Sequence, residues 1–142
     1  MSTIKFKIVT PEKVVEEKEI IQAIIPTVVG EVTILPNHRS YIAGLKPGEI
    51  LVKTVGQDSH DISCAIAVSG GFLEFDDNKL VILADTAERA EDLDLARAEE
   101  ARAKAVKLKE QKFTDATQYA TVLAQLEKYE ARVKVAKKWR KL

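Results

Sequence analysis

Hydrophobic and polar residues alternate through the first half of the chain with a period of two, which is typical of half-buried β-strands. Four runs show this alternation, and the members of each share one face: Ile4, Phe6 and Ile8; Ile21, Ala23 and Ile25; Ile50, Val52 and Thr54; and Ile62, Cys64, Ile66 and Val68. Residues 79–84 form the last predicted strand. Glycine, proline, asparagine and aspartate separate these runs, and no helical pattern lies between them. The pattern therefore predicts an antiparallel β-sandwich or barrel.

The pattern changes after Asp85, because glycine and proline no longer occur and charged residues fall at helical spacing. Asp92 is placed to cap a first helix, and Asp115 with Gln118 forms a loose capping box for a second one. Residues 112–114 are the predicted turn between them. The fold class is thus an all-β N-terminal sandwich or barrel, residues 1–85, followed by an antiparallel α-helical hairpin, residues 86–142.

The two predicted helices present different seams to each other. The first carries small residues at three-four spacing, and the second carries mostly bulky ones: Ala98, Ala101, Ala105 and Leu108 on the first, and Tyr119, Val122, Leu126, Tyr129, Val133 and Ala136 on the second. This spacing suits coiled-coil packing. An alanine seam buries little apolar area, at about 25 cal/mol per Å². We therefore expect the hairpin to be marginal alone and to depend on the β-module or a partner.

Composition excludes several classes of function. Lysine plus arginine and aspartate plus glutamate both number 22, so no net field favours nucleic acid or an acidic membrane. The chain lacks a signal-peptide pattern and any run long enough to cross a bilayer, which predicts a soluble protein on the cytosolic side without direct membrane insertion. Neither phosphate-binding glycine motif, G-x-x-x-x-G-K-[ST] or G-x-G-x-x-G, occurs.

No residue set suggests a catalytic or metal site. His38 and His60 do not cluster with other metal-ligand types, so surface or loop histidines are expected and no metal is predicted. Ser69-Gly70-Gly71 has no recognisable partner base and is interpreted as a tight bend between strands, in preference to a nucleophile turn. Cys64, the single cysteine, is expected to be a buried strand thiol.

Two clusters of charge keep alternative interpretations open. Every charged residue after Ala131 is basic, which suits either docking to an acidic protein surface or a solvated helix end. Asp94 and Arg97 either form an i,i+3 ion pair or, with cations nearby in the hairpin, bind an anion such as a nucleotide phosphate. The sequence alone does not separate these readings.

Five motifs, in this order and spacing, resemble one protein family over nearly the whole chain. They are Val-Thr-Pro at 9–11, Gly-Glu-Val-Thr-Ile-Leu-Pro-Asn-His at 30–38, Leu-Lys-Pro-Gly at 45–48, Val-Ser-Gly-Gly-Phe-Leu-Glu at 68–74, and Val-Ile-Leu-Ala-Asp-Thr-Ala-Glu at 81–88. Together with their position ahead of a helical hairpin, they are similar to motifs of the epsilon subunit of bacterial and plastid F-type ATP synthases.

The resemblance implies a non-catalytic subunit of the rotary stalk, which binds the gamma subunit and the c-subunit ring and couples proton-driven rotation to the catalytic alpha/beta head. Contact residues on the sandwich would be Glu31, His38 and Tyr41. In the family's inhibited state the hairpin opens, and basic residues of its second helix meet an acidic segment of a catalytic subunit. The corresponding residues here are Lys134, Lys137, Lys138 and Arg140. The implied location is the cytoplasmic face of the plasma membrane, or the stromal face of the thylakoid in a plastid.

A regulatory ATP is the one small ligand that the resemblance implies, and no cofactor is required. Some bacterial members bind ATP through [IL]-D-x-x-R-A, which Leu-Asp-Leu-Ala-Arg-Ala at 93–98 fits through Asp94 and Arg97. Glu88 matches a further acid, and Arg132 is retained. Lys104 and Lys128 stand where the ATP-binding members carry arginine, which predicts weaker phosphate binding. The alternative function is accordingly an ATP-responsive sensor module, and a small β-fold enzyme is a more distant third.

Overall fold

The computed structural model describes residues 2–55, 64–110 and 116–139, with side chains as far as residue 137. These residues form seven strands, a short 3₁₀ turn at Ala90–Asp92 and two helices. The strands are β1 Ile4–Val9, β2 Val14–Thr27, β3 Gly30–Ile34, β4 Tyr41–Gly44, β5 Gly48–Thr54, β6 Cys64–Asp76 and β7 Lys79–Arg89. The helices are α1 Leu95–Lys109 and α2 Ala116–Trp139. The predicted sandwich followed by two helices is confirmed.

The strands form a circuit because β2 is long enough to pair with strands on both sides of the module. Its first half pairs with β1, and its second half pairs with β3 and β5. The order along the sheet is β1-β7-β6-β5-β2-β3, with β4 also paired to β6. β1 and β7 are parallel, which corrects the expectation of a wholly antiparallel sheet. Parallel neighbours need a long connection, and the five strands between β1 and β7 supply it.

The buried face of β1 follows the predicted alternation, since Ile4, Phe6 and Ile8 are all at most 1% exposed. In β2 the prediction was wrong by one residue. The register shifts between Ile20 and Gln22, so a bulge buries Ile20 and leaves Ile21 only half-buried. A β-bulge changes which face the following residues occupy, and simple alternation does not reveal it.

The last strand continues beyond the prediction of residues 79–84 and ends at Arg89. It continues because β6 is long enough to pair with it throughout, with Ile66 opposite Arg89 and Asp76 opposite Lys79. The division into residues 1–85 and 86–142 stays a prediction, and the sheet itself extends past that boundary.

Asp94, not Asp92, caps the first helix. The carboxylate of Asp94 accepts hydrogen bonds from the backbone N–H groups of Ala96, at 3.0 Å, and Arg97, at 3.3 Å. Asp92 instead lies in the 3₁₀ turn and bonds to Arg89 at 3.0 Å. Asp92 does not cap the helix because residues 90–92 form a separate turn, and the backbone after that turn is extended at Leu93. The turn at residues 112–114, Asp115, Ile62 and His60 lie outside the described residues.

The seam between the helices matches its prediction in the middle of the hairpin. Ala98 and Ala105 of α1 are buried, as are four predicted seam residues of α2: Val122, Leu126, Val133 and Ala136. Leu108 and Tyr119 are 40% and 41% exposed, so the predicted seam does not extend to them. The described part of α1 therefore buries two small side chains, and α2 carries most of the apolar contact.

A second, smaller apolar cluster joins α2 to the sheet. Val135 is fully buried against Ala65 and Ala67 of β6, and Leu51, Ala90 and Leu93 pack around these three residues. The main core of the sandwich is a separate cluster. The hairpin thus lies folded against the sheet through the C-terminal half of α2.

Candidate functional site

Four residues of the predicted nucleotide site line one cleft, at the place where β7, the linker and both helices meet. These residues are Glu88, Asp94, Arg97 and Arg132, and the cleft has a volume of about 410 Å³. Its apolar lining is supplied by Leu93, Ala98, Ala101 and Tyr129. The small alanines of α1 leave room opposite Tyr129, which is why a cleft exists between two packed helices.

Asp94 and Arg97 are held by the start of α1. The Oδ1 atom of Asp94 is engaged by two backbone N–H groups, so this carboxylate works as a helix cap in the structure. The cap fixes the first turn of α1, and Arg97 lies on that turn. No Asp94–Arg97 side-chain ion pair is needed to explain their spacing, because the backbone of Arg97 is the partner observed.

Arg132 connects the hairpin to the sheet through an ion pair with Glu88 of β7. The guanidinium carbon of Arg132 also lies 5.8 Å from the centre of the Tyr129 ring, and the Lys128 ammonium lies 5.5 Å from the same ring. These distances are within the range of cation–π attraction. Two cationic side chains therefore lie close to the Tyr129 ring, and one of them, Arg132, lines the cleft.

Lys104 and Lys128 flank this cleft and do not line it. Lys104 lines a neighbouring cleft of about 450 Å³ with Arg97 and Tyr129, and its ammonium pairs with Glu100 at 3.4 Å. Lys128 lines an open cleft of about 700 Å³ on the other side of Arg132. Burial, followed by the charge of Arg132, lowers the pKa of Lys128. The six predicted residues are thus neighbours in space, and their role in binding ATP stays a prediction.

His38 and Tyr41, two predicted partner contacts, lie together at one end of the sandwich. The His38 ring meets Tyr41 and Phe75 edge to face, with centroids 6.0 and 5.7 Å apart, and its Nδ1 lies 2.7 Å from the Arg39 carbonyl oxygen. Glu31 is exposed near the tip of the β2–β3 hairpin. That tip also exposes two valines, Val28 at 67% and Val29 at 78%.

An exposed apolar row on the outer face of the sheet escaped the sequence analysis. Phe72 of β6 lies opposite Leu83 of β7, and the two are 62% and 53% exposed. Ile42 of the adjoining strand β4 is 73% exposed. The signal was the unbroken apolar run Leu-Val-Ile-Leu-Ala at 80–84, which a strand with one solvated face would not carry.

The basic end of α2 faces solvent where the structure describes it, since Lys134 and Lys137 are both exposed. The Lys138 side chain and Arg140 lie outside the described residues. Cys64 is half-buried, and burial raises the pKa of its thiol. Within residues 2–55, 64–110 and 116–139, no group of three or more metal-ligand side chains occurs and no helix has the length and hydropathy to span a membrane.

Ser69-Gly70-Gly71 does not form the predicted bend between strands. The three residues lie inside β6, and the Ser69 hydroxyl is hydrogen-bonded to the Thr86 hydroxyl of β7. A strand can pass through this point because Gly70 and Gly71 adopt positive φ angles of 63° and 107°. The structure therefore gives these glycines a structural role in the path of β6.

Comparison with known proteins places the chain in one family. The model of the ATP synthase delta/epsilon chain β-sandwich domain matches residues 3–90. The ATP synthase epsilon chain of Dehalococcoides mccartyi is 38% identical over 141 residues, which are 99% of this chain and 97% of that protein. The epsilon chain of Lactiplantibacillus plantarum is 47% identical over 98 residues, 69% of this chain and 68% of that protein.

Solved structures with the same fold include a chain of the Euglena gracilis mitochondrial ATP synthase, with a TM-score of 0.75 at 20% identity over 92% of this chain and 79% of that one. A chain of the Tetrahymena thermophila mitochondrial ATP synthase central stalk and c-ring has a TM-score of 0.67 at 12% identity, over 94% and 96%. The family match covers more than half of the chain, and the Dehalococcoides relative aligns with nearly all of it. The protein belongs to the family of ATP synthase epsilon chains.

Proposed function

We propose that the chain is a rotor-stalk subunit that couples rotation of the c-ring to ATP synthesis, and that its hairpin regulates ATP hydrolysis. The chain itself performs no catalysis in this proposal. The observation that carries it is the division of the molecule into a sandwich with its own core and a hairpin that rests on the sheet through a small cluster around Val135. An element held by so few apolar contacts can exist in two positions.

Two exposed surfaces of the sandwich suit two different partners. The row formed by Ile42, Phe72 and Leu83 is apolar, as expected of a face that a partner protein covers, and we assign it to the gamma subunit. The β2–β3 tip, with Val28, Val29 and the acidic Glu31, is assigned to the c-ring. Such contacts would hold the chain at the cytoplasmic face of the plasma membrane, or at the stromal thylakoid face, without insertion into the bilayer.

The released hairpin would carry its basic surface to the alpha/beta head. Lys134 and Lys137 are exposed in the folded position, so no contact with the sheet has to be broken at these side chains before they meet an acidic partner. Surface charge of this kind directs encounter and orientation more than it adds affinity.

Reversing these two charges tests the regulatory part. We expect the double substitution Lys134→Glu and Lys137→Glu to relieve epsilon-dependent inhibition of ATP hydrolysis about fivefold or more in the reconstituted complex, because attraction becomes repulsion. Stopping the chain after Asp92, which keeps every strand, should relieve inhibition at least as much while preserving assembly with gamma.

The matched control is Lys107→Glu with Lys109→Glu, which makes the same charge change on exposed residues of α1. Equal relief by both double variants would show that net charge, not position, is responsible. Unchanged inhibition in the shortened chain would contradict a regulatory hairpin altogether.

ATP sensing is a second candidate function, favoured by the cleft that gathers Arg97, Arg132 and the Tyr129 ring between the helices. Two guanidinium groups beside an aromatic ring provide forked donors for phosphate and a flat surface for a base. ATP bound there would touch α1, α2 and the end of β7 together and would hold the hairpin in its folded position.

Arg97→Ala tests this second function. We expect ATP affinity of the isolated chain to fall by about tenfold or more, since a charge-assisted hydrogen bond contributes roughly 1.5–3 kcal/mol. Calorimetric titration measures the change. Arg102→Ala, at an exposed position five residues further along α1 and outside the cleft, should keep the affinity of the unaltered chain. Equal losses in both variants, or no ATP binding by the unaltered chain, would exclude the sensor.

A further inference from the structure

The ion pair between Glu88 and Arg132 joins the two parts of the molecule that the proposed function requires to separate. Glu88 lies on β7, where its backbone is held in register opposite Ala67 of β6. Arg132 lies on α2, one turn before Val135, the residue that anchors the helix to the sheet. Glu88 therefore belongs to the sheet, which stays fixed in the proposed function, and Arg132 belongs to the hairpin, which moves.

The ion pair also engages the Arg132 guanidinium, which is a group that an anionic ligand in either neighbouring cleft would need for binding. Arg132 borders both the cleft that contains Arg97 and the cleft that contains Lys128, and Glu88 borders the same two clefts. The Arg132 side chain is 22% exposed and that of Glu88 is 37% exposed, so the contact is partly shielded from water. A phosphate that approaches Arg132 from either cleft meets a guanidinium already paired with a carboxylate.

Carboxylate and phosphate compete for the same donors, because a guanidinium presents one planar fork that suits both. They also repel each other, so Glu88 is poorly placed to coordinate the phosphates of a nucleotide itself. We infer that Glu88 is an internal competitor of the nucleotide phosphate for Arg132, and that the latch that holds the hairpin down passes from Glu88 to the phosphate when nucleotide binds. This inference rests on the proposed ATP-sensing function.

The exchange explains how the hairpin stays folded in two ligand states. Without nucleotide, Glu88 holds Arg132 and thereby holds α2 against the sheet. With nucleotide, Arg132 changes partner, and the phosphate connects it to Arg97 on α1. The carboxylate lowers nucleotide affinity in proportion to the strength of the ion pair that must be broken.

Glu88→Gln in the full-length chain tests the inference, because it removes the charge and keeps the shape. We expect ATP to bind about threefold to tenfold more tightly, as the affinity penalty of the competing ion pair is removed. In the absence of ATP, backbone amides of α2 around residues 131–137 should exchange with deuterium severalfold faster, since the latch is lost. Glu99→Gln, an equal charge change at an exposed position of α1, should alter neither measurement.

A double variant with Arg132→Gln separates the latch from general electrostatics. The effect of Glu88→Gln on hydrogen–deuterium exchange of α2 should disappear when Arg132→Gln is also present, because the ion pair is already absent. Weaker ATP binding by Glu88→Gln would overturn the inference and make Glu88 a nucleotide ligand, and unchanged affinity would also overturn it. If neither the unaltered chain nor Glu88→Gln binds ATP, the sensor proposal fails, and so does the proposed competition between Glu88 and phosphate. The hydrogen–deuterium exchange of α2 without ATP would still decide whether the ion pair is a latch.

Discussion

Val135→Asp is expected to release the hairpin from the sheet and to leave the sheet folded. Val135 is fully buried against Ala65 and Ala67, so the new carboxylate would lose its hydration without gaining a partner. An unpaired charge in such a place costs about 3–5 kcal/mol. The hairpin can avoid this cost by undocking, because this small cluster is the apolar core that α2 shares with the sheet among the residues that the structure describes. The sandwich core is a different set of residues and should be unaffected.

Hydrogen–deuterium exchange measures the release directly. Amides of α2 and of the Ala65–Ala67 face should lose protection in Val135→Asp, while amides of β1 keep theirs. Small-angle scattering should show a larger radius of gyration. Val106→Asp is the matched control, since Val106 is 37% exposed on α1 and its substitution adds the same charge at a position that water reaches. Protection of α2 that equals that of the unaltered chain would mean that Val135 does not hold the hairpin.

The same substitution has an expected consequence in the assembled complex. If the released hairpin is the inhibitory form, Val135→Asp should inhibit ATP hydrolysis more strongly than the unaltered chain, and ATP should reverse this inhibition poorly. Stronger inhibition would be informative, because a subunit that is merely damaged by the substitution would inhibit ATP hydrolysis less.

The alternation of hydrophobic residues was sufficient to predict the sandwich, because burial of one strand face imposes a period of two. It could not predict the bulge after Ile20, since a bulge depends on pairing with a partner strand. The cap of α1 lies two residues after the predicted Asp92 for a similar reason. Asp92 belongs to the turn at Ala90–Asp92 and is hydrogen-bonded to Arg89, which composition does not reveal.

The candidate site was partly visible in the sequence. Asp94 and Arg97 belong to one short motif, so their proximity follows from helical spacing alone. Arg132 joins them only because the hairpin folds back, and its contact with Glu88 spans two elements distant in the chain. Val135 was missed because the seam pattern of α2 points toward α1, whereas Val135 faces the sheet. Such contacts between a helix and a sheet have no local sequence period.

Gly71→Ala is the second substitution with a large expected effect, and it acts on the sheet and not on the hairpin. Gly71 has a φ angle of 107°, and a Cβ atom added there would lie 1.9 Å from the Leu83 carbonyl oxygen and 2.9 Å from the Ala84 Cα. Both are backbone atoms of the neighbouring strand, so they cannot turn aside as a flexible side chain could. Gly71 lies where β6 changes its partner strand. β6 is paired with β5 as far as Val68 and with β4 from Phe72 onward.

We expect Gly71→Ala to destabilise the chain by about 4 kcal/mol or more, because backbone strain and a clash with paired strands add together. Urea unfolding followed by circular dichroism measures this loss. Gly30→Ala separates the two causes, since Gly30 also has a positive φ, 119°, but no atom lies within 4 Å of its added Cβ. That control should cost only the backbone term, about 1–2 kcal/mol. Similar losses at both glycines would show that the close approach to β7 contributes little, and that the path of β6 is set by conformation alone.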